Sequence, residues 1–336
     1  MSDLRLGYAL SSEEHRPRDL VRWASRAEDA GFDFAMISDH YHPWTDRQGN
    51  SPFAWSVLGA LAEATDRIAI GTGVTCPIVR YHPALVAQMA ATIGSLMPGR
   101  FWLGLGTGEN LNEHIYGDRW PGVDVRISML REAIQIIRAL WGGEQVEYDG
   151  DYYDVSRARV YTLPEKPVPI YVAGNGPEVL EATAELADGY IGTAPKKDLL
   201  ERFDRVSGPG KPKIGQVTVC WGRDVDSARR TAFEIWPNAA ISGQASQELP
   251  VPAHFEELAE MATPEMVAKT IVCGPEVDRH VASIRTYLDA GFDHVYVHQI
   301  GPDQDGMIDF YASEVMPRLR RSGVESSQPT AAATAG

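Results

Sequence analysis

No stretch of this sequence approaches the roughly 18 consecutive apolar residues that a membrane-spanning helix requires. Nor is there a basic surplus to hold a polyanion: 31 lysines and arginines stand against 46 aspartates and glutamates, a formal charge of −15. That balance excludes nucleic acid and anionic membrane as partners in the absence of a local basic patch, and the sequence shows none. Cysteine is scarce. Cys76, Cys220 and Cys273 lie far apart with no C-x-x-C spacing, which argues against a disulfide framework or a cysteine-based metal site and fits a reducing compartment. No charged-then-apolar leader opens the chain, so the expectation is an unprocessed, cytoplasmic protein. Low complexity is confined to SGVESSQPTAAATAG at 322–336, which reads as a disordered tail.

What remains is an ordinary globular composition, 44% hydrophobic with 8 tryptophans and 13 tyrosines available for a core. A weak internal repeat organises it: DAGFDFAMISDH at 29–40 returns as DAGFDHVYVHQI at 289–300. In each copy a glycine in the left-handed conformation would close a helix, and the β-branched or aromatic run that follows suits a buried strand. Related junctions stand at MPGRFWLGLG, 97–106, and ELADGYIGT, 185–193. The pattern predicts strands near 5–10, 33–38, 68–74, 101–105, 170–173, 189–193, 213–220 and 294–298, with helices between most of them. Strands alternating with helices pair in parallel, and eight of them predict a closed α/β fold, the (β/α)8 or TIM barrel, as one domain over 1–321. An open doubly wound sheet is the competing architecture. It normally carries a nucleotide loop after its first strand, and GLGTG at 104–108 is too compressed and too late to be G-x-G-x-x-G. Irregular stretches at 110–125, 143–167 and 237–263 are expected to be insertions that shape the mouth at the C-terminal end.

In such a barrel the strand ends carry the chemistry. The second strand ends in Ser38-Asp39-His40, followed by Trp44; an imidazole there can exchange a proton near neutral pH beside a carboxylate. The fourth ends in GTGEN, where Glu109 offers a proton or a charge among glycines that admit a planar ligand closely. The third supplies Gly73, Val74 and Cys76, the fifth a glycine-rich turn, Asn175 to Glu178, before a helix whose N–H groups suit a phosphate, and the sixth Thr193 and Lys196. Each also has a plain structural explanation as a turn, a cap or solvated surface. His40-x-His42 is too sparse for a metal, and none is expected.

Taken together, LGYALSSEE at 6–14, SDHYHPW at 38–44, GTGENLNE at 106–113 and GDYYDV at 150–155 resemble the F420-dependent glucose-6-phosphate dehydrogenase family of the luciferase-like barrels, over about 4–321. The resemblance implies a homodimeric enzyme that passes hydride from a hydroxyl-bearing carbon to C5 of coenzyme F420, an 8-hydroxy-5-deazaflavin. It assigns His40 as base and Glu109 as acid, with Trp44 and Glu13 beside the reacting centre. Asp39, Gly73, Val74, Cys76, Thr107, Gly108, Asn112, Asn175, Gly176, Glu178 and Val179 match cofactor contacts, with a non-proline cis peptide often found at the position of Gly73–Val74. Of the family's sugar-phosphate site, Thr193 and Lys196 match, whereas the next lysine and the arginine fall at Ser246 and Thr270. A small sugar or secondary alcohol less anionic than glucose 6-phosphate is therefore the expected substrate. A sugar-6-phosphate dehydrogenase, or an FMN-dependent luciferase-like monooxygenase, is the alternative.

Overall fold

The computed structural model describes residues 4–241 and 243–325, with side chains to 320. Eight parallel strands close on themselves: β1 (Arg5–Leu10), β2 (Phe34–Ile37), β3 (Ala69–Thr72), β4 (Phe101–Leu105), β7 (Ile170–Ala173), β8 (Gly189–Gly192), β9 (Lys213–Cys220) and β11 (His294–Gln299), the last pairing again with β1. These are the eight strands expected, trimmed by a residue or two at some ends and, at β11, extended by one. Helices such as Pro17–Ala30, Ala54–Ala64, Pro83–Leu96, Val123–Leu140 and Val277–Ala290 lie between them. A two-residue strand, β10 (Val272–Cys273), pairs with the end of β9. The last helix runs to Glu325, and the rest of the predicted tail, 326–336, lies outside the described residues.

The repeat has a physical reason. Gly31 and Gly291 close their helices at φ +88° and +111°, left-handed values that glycine alone adopts freely. The aspartate two residues later then ties a neighbouring strand: Asp33 Oδ2 accepts from Leu6 N at 2.9 Å, and Asp293 Oδ1 from Lys213 N at 2.9 Å. The ELADGY junction repeats the tie, with Asp188 Oδ2 accepting from Ile170 N at 2.8 Å, although its glycine, Gly189, opens β8 instead of closing a helix. At the fourth junction Arg100 replaces the carboxylate and donates to the carbonyls of Ile68 and Thr65. The base of the barrel is thus stitched strand to strand by side chains.

Glu28 adds a further tie, accepting from the backbone N–H groups of Asp66, Arg67 and Ile68 just before β3. Burial by itself raises this carboxyl, but those three bonds outweigh it and hold it below the ordinary glutamate value of 4.5. A depressed folded value means stability that is present above the ordinary value and lost as pH falls through the folded one. Urea midpoints of the wild type are accordingly expected to fall from about pH 5 downward, and those of Glu28→Gln to fall less steeply; parallel curves would show that Glu28 carries no such linkage.

Of the three insertions, 110–125 and 237–263 reach the mouth. The third does not. It contains an antiparallel hairpin, β5 (Val146–Asp149) and β6 (Asp154–Ala158), that the sequence reading left irregular. Glu132 accepts from the N–H groups of Asp151, Tyr152 and Tyr153 at its turn, and the Tyr153 hydroxyl reaches the carbonyls of Pro77 and Ile78. The hairpin therefore buttresses the loop after β3 from behind and lines no part of the cavity described next.

Candidate active site

The C-terminal strand ends surround a cavity of about 800 Å³. At its centre His40 sits between two carboxylates: Nδ1 is 3.4 Å from Glu13 Oε1 and Nε2 is 3.7 Å from Glu109 Oε2. Nδ1 also faces the His42 carbonyl at 3.3 Å, so two acceptors favour the proton on Nδ1 and leave the Nε2 lone pair toward Glu109 and the cavity. Ser38 and Ser11 donate to Glu13 Oε2 at 2.7 and 3.1 Å. Burial pushes the Glu13 carboxyl up, but the charge of His40 and the Ser38 bond pull it further down, and the net direction is below the ordinary range. Glu13 therefore stays ionised behind the imidazole. Trp44 meets His40 edge-on at 5.1 Å and is itself backed by Phe255 at 5.2 Å.

Asn112 couples the two halves of this centre. Its Oδ1 accepts from the N–H groups of Tyr41 and His42, fixing the loop that follows His40, while its Nδ2 donates to Glu109 Oε2 at 3.2 Å. The His40-x-His42 pair diverges: His42 bonds the Leu111 carbonyl and stacks on His114, away from His40. Among the described residues no group of three or more His, Cys, Asp or Glu side chains is arranged to hold a metal ion.

One wall of the cavity is bare backbone. The Gly73–Val74 peptide is cis, and Gly106, Thr107 and Gly108 lie beside it. A Cβ at Gly108 would stand 2.4 Å from Cys76 Sγ, and one at Gly106 would stand 2.8 Å from Val74 Cγ2, so no larger residue fits there. Burial pushes the Cys76 thiol well above its ordinary range, which makes it a packing group and not a nucleophile. Behind this wall Asp39 is saturated: it accepts from Trp55 Nε1, Thr75 Oγ1, Arg80 Nη2 and the Tyr81 hydroxyl. Arg80 also faces Glu113, whose Oε2 takes the N–H groups of Val79 and Arg80.

Beside this wall, after the neighbouring strand β7, lie Asn175, Gly176, Glu178 and Val179, with Thr193 donating to Asn175 Oδ1 at 3.2 Å and Lys196 Nζ reaching the Asn175 carbonyl at 3.4 Å. Ser246 also lines the mouth. Thr270 does not. It ends the helix Pro264–Thr270, its hydroxyl turned back on the Val267 carbonyl at 3.0 Å, and its expected place in a substrate site is corrected on that ground. Among the described lining residues five are carboxylic acids (Glu13, Asp39, Glu109, Glu113, Glu178) and one is a lysine, Lys196.

Several lining residues were not singled out from the sequence: Gln216, Tyr296, His298 and Asn238. The signal was present in β9 and β11, where a polar residue takes an inward position of an otherwise apolar alternation. Among the tryptophans, Trp236 lines the cavity, Trp120 carries the Arg126 guanidinium at 4.4 Å, and Trp141 bonds the Ala87 carbonyl.

A parallel (β/α)8 barrel with an imidazole and two carboxylates over a bare glycine wall defines a barrel enzyme of the luciferase-like class, and the sequence profile of the luciferase-like monooxygenases matches residues 4–294. Within that class the chain belongs to the F420-dependent glucose-6-phosphate dehydrogenase family. The member from Microbacterium testaceum is 39% identical over 95% of this chain and 98% of its own, and that from Nocardia farcinica is 37% identical over 95% and 99%. Among solved structures, an F420-dependent secondary alcohol dehydrogenase in complex with an F420–acetone adduct superposes with a TM-score of 0.88 at 30% identity, covering 95% of this chain and 99% of that one. The coenzyme F420-dependent tetrahydromethanopterin reductase of Methanopyrus kandleri shares the fold, with a TM-score of 0.76 at 22% identity over 95% and 100%.

Proposed function

We infer that this chain is a coenzyme F420-dependent oxidoreductase acting on the CH–OH group of a neutral or weakly charged sugar or secondary alcohol. The observation that carries the reading is His40 held between Glu13 and Glu109 at a cavity with one bare wall and, among its described lining residues, a single lysine. When bound, F420 supplies a hydride acceptor at C5 of its ring.

The wall fits such a ring. Without side chains at Gly73, Gly106 and Gly108, the backbone there leaves room for a planar tricycle to approach closely. Gly73, Val74, Cys76, Thr107, Gly108 and Asn112 would hold the ring and Asn175, Gly176, Glu178 and Val179 the tail, with Asp39, bonded on both oxygens, stiffening the wall behind. His40 Nε2 takes the substrate hydroxyl proton as the carbon-bound hydride leaves, and the ionised Glu13 behind the ring stabilises the imidazolium. Glu109, oriented by Asn112, would in its acid form hold the proton that the reduced ring needs at N1. Trp44 and Phe255 cover the reacting carbon and limit water.

Thr193, Lys196 and Ser246 are left to meet the far end of the substrate. A phosphate cradle short of two cations forgoes about 1.5–3 kcal/mol for each charge-assisted bond, roughly ten- to a hundredfold in affinity apiece. The likeness to an F420-dependent secondary alcohol dehydrogenase supports an alcohol as the substrate. Bleaching of the F420 visible band on mixing with a panel of alcohols, neutral sugars and sugar phosphates tests the proposal. A neutral substrate is expected to bleach it at least about tenfold more efficiently than glucose 6-phosphate. Strong saturable turnover of glucose 6-phosphate would overturn the substrate assignment, and oxygen uptake driven by reduced FMN without F420 binding would overturn the cofactor. We further propose a single domain over 1–321 working in the cytoplasm as a homodimer. Three scattered cysteines support the compartment, and gel filtration with light scattering tests the assembly. Among the described residues no helix is long and apolar enough to cross a membrane.

A further inference from the structure

Alternation along a strand turns every second residue into the barrel. On β9 and β11 the inner positions Ile214 and Tyr296 pack among Phe34, Met36, Trp102 and Ile191. One step closer to the mouth they become Gln216 and His298, both lining the cavity. Branched hydrocarbons dominate barrel interiors, so an amide and an imidazole at this level call for a reason. The roles given to His40, Glu13 and Glu109 use neither.

The amide is oriented. The Tyr296 hydroxyl donates to Gln216 Oε1 at 2.6 Å, and burial raises that phenol far above its ordinary range, so it remains a donor. With Oε1 taken, the amide NH2 must point the other way, where it finds Thr218 Oγ1 at 3.3 Å and His298 Nδ1 at 3.4 Å, both long for hydrogen bonds. His298 is held from behind, its Nε2 3.7 Å from Glu14 Oε1 and its ring edge-on to Trp236 at 4.6 Å. Glu13 and Glu14 thus each steady one imidazole, His40 and His298. The two pairs are close enough to interact: His298 lowers the Glu13 carboxyl, and Glu13 raises the Tyr296 phenol.

We propose that Gln216, oriented by Tyr296 and flanked by His298, binds a second hydroxyl of the substrate, so that the enzyme takes a diol or polyol in preference to a monohydric alcohol. This rests on the dehydrogenase reading above and narrows its substrate class. An amide NH2 with two long bonds gains a full one from a hydroxyl oxygen, while a substrate lacking that oxygen leaves the amide underpaired in a confined site. Sites discriminate most strongly under that condition.

The test compares cyclohexanol with the 1,2- and 1,3-cyclohexanediols, by F420 bleaching and by tryptophan fluorescence of the F420-free protein, since Trp44 and Trp236 line the cavity. At least one diol is expected to exceed cyclohexanol in kcat/KM by about tenfold or more, mainly through KM, and Gln216→Met is expected to reduce that ratio to within about threefold. The wild-type comparison stands even where the variant fails to fold. Equal use of mono- and dihydric alcohols by the wild type, or a folded Gln216→Met protein that keeps the ratio, overturns the subsite and leaves the dehydrogenase reading intact. Diol-selective quenching that Gln216→Met removes, with no bleaching by any alcohol, retains the subsite and removes the redox reading. Neither binding nor turnover of any diol overturns both.

Discussion

His40→Ala is expected to lower kcat/KM for F420 reduction by about 10²–10⁴-fold, the usual worth of a positioned general base, while F420 binding by fluorescence titration stays within a few-fold of the wild type. The separation follows from the geometry. Both ring nitrogens of His40 face carboxylates of Glu13 and Glu109, and no part of the glycine wall at 106–108 depends on the imidazole. His40→Gln, which retains a polar group but cannot take a proton at neutral pH, should behave like alanine. A loss smaller than about tenfold in both variants would show that the proton leaves by another route and would move the base assignment away from this residue.

Arg80→Met is expected to cost about 3–5 kcal/mol of stability, because it removes a cation that lies against two buried carboxylates, Asp39 and Glu113. Asp39 Oδ1 and the Asp39 carbonyl both accept from Arg80 Nη2, and Glu113 Oε1 lies 3.5 Å from Arg80 Nε. The Glu113 carboxyl is already pushed upward by burial, with Arg80 as the main influence pulling it back, so removing Arg80 drives Glu113 further upward and leaves Asp39 bonded to Trp55, Thr75 and Tyr81. Urea denaturation measures the cost. F420 affinity should fall with it, because the same cluster stiffens the wall at Gly73 and Cys76. A midpoint within about 0.5 kcal/mol of the wild type would mean that water or another cation replaces the guanidinium.

Much of the architecture was legible from the chain alone because one device recurs. The glycine and aspartate of DAGFD close a helix, turn into a strand and stitch its neighbour, and the second copy at 289–300 does the same. The strand ends were legible because Ser38-Asp39-His40 and Gly106 to Asn112 are too polar to be packing. The β5–β6 hairpin was not, because its alternation of Val146, Tyr148 and Val155 is short and half exposed, and its anchor, Glu132, is distant in sequence. Thr270 was misplaced for a related reason: aligning a position assigns it a role, but only the helix Pro264–Thr270 shows that its hydroxyl is spent on its own backbone. Gln216 and His298 were passed over because a polar residue in a buried strand is visible as a functional signal only once the inward face of that strand is known.

The three cysteines have a practical use as well. All are buried, and burial pushes each thiol upward, Cys220 to about 12, so almost no thiolate is available to an alkylating reagent at neutral pH. A single cysteine placed on the exposed surface, at Tyr161 for example, would then be the one reactive handle on an otherwise inert protein. A dye or spin label could be attached there without first stripping out the native sulfur, Cys76 included, that packs against the catalytic cavity.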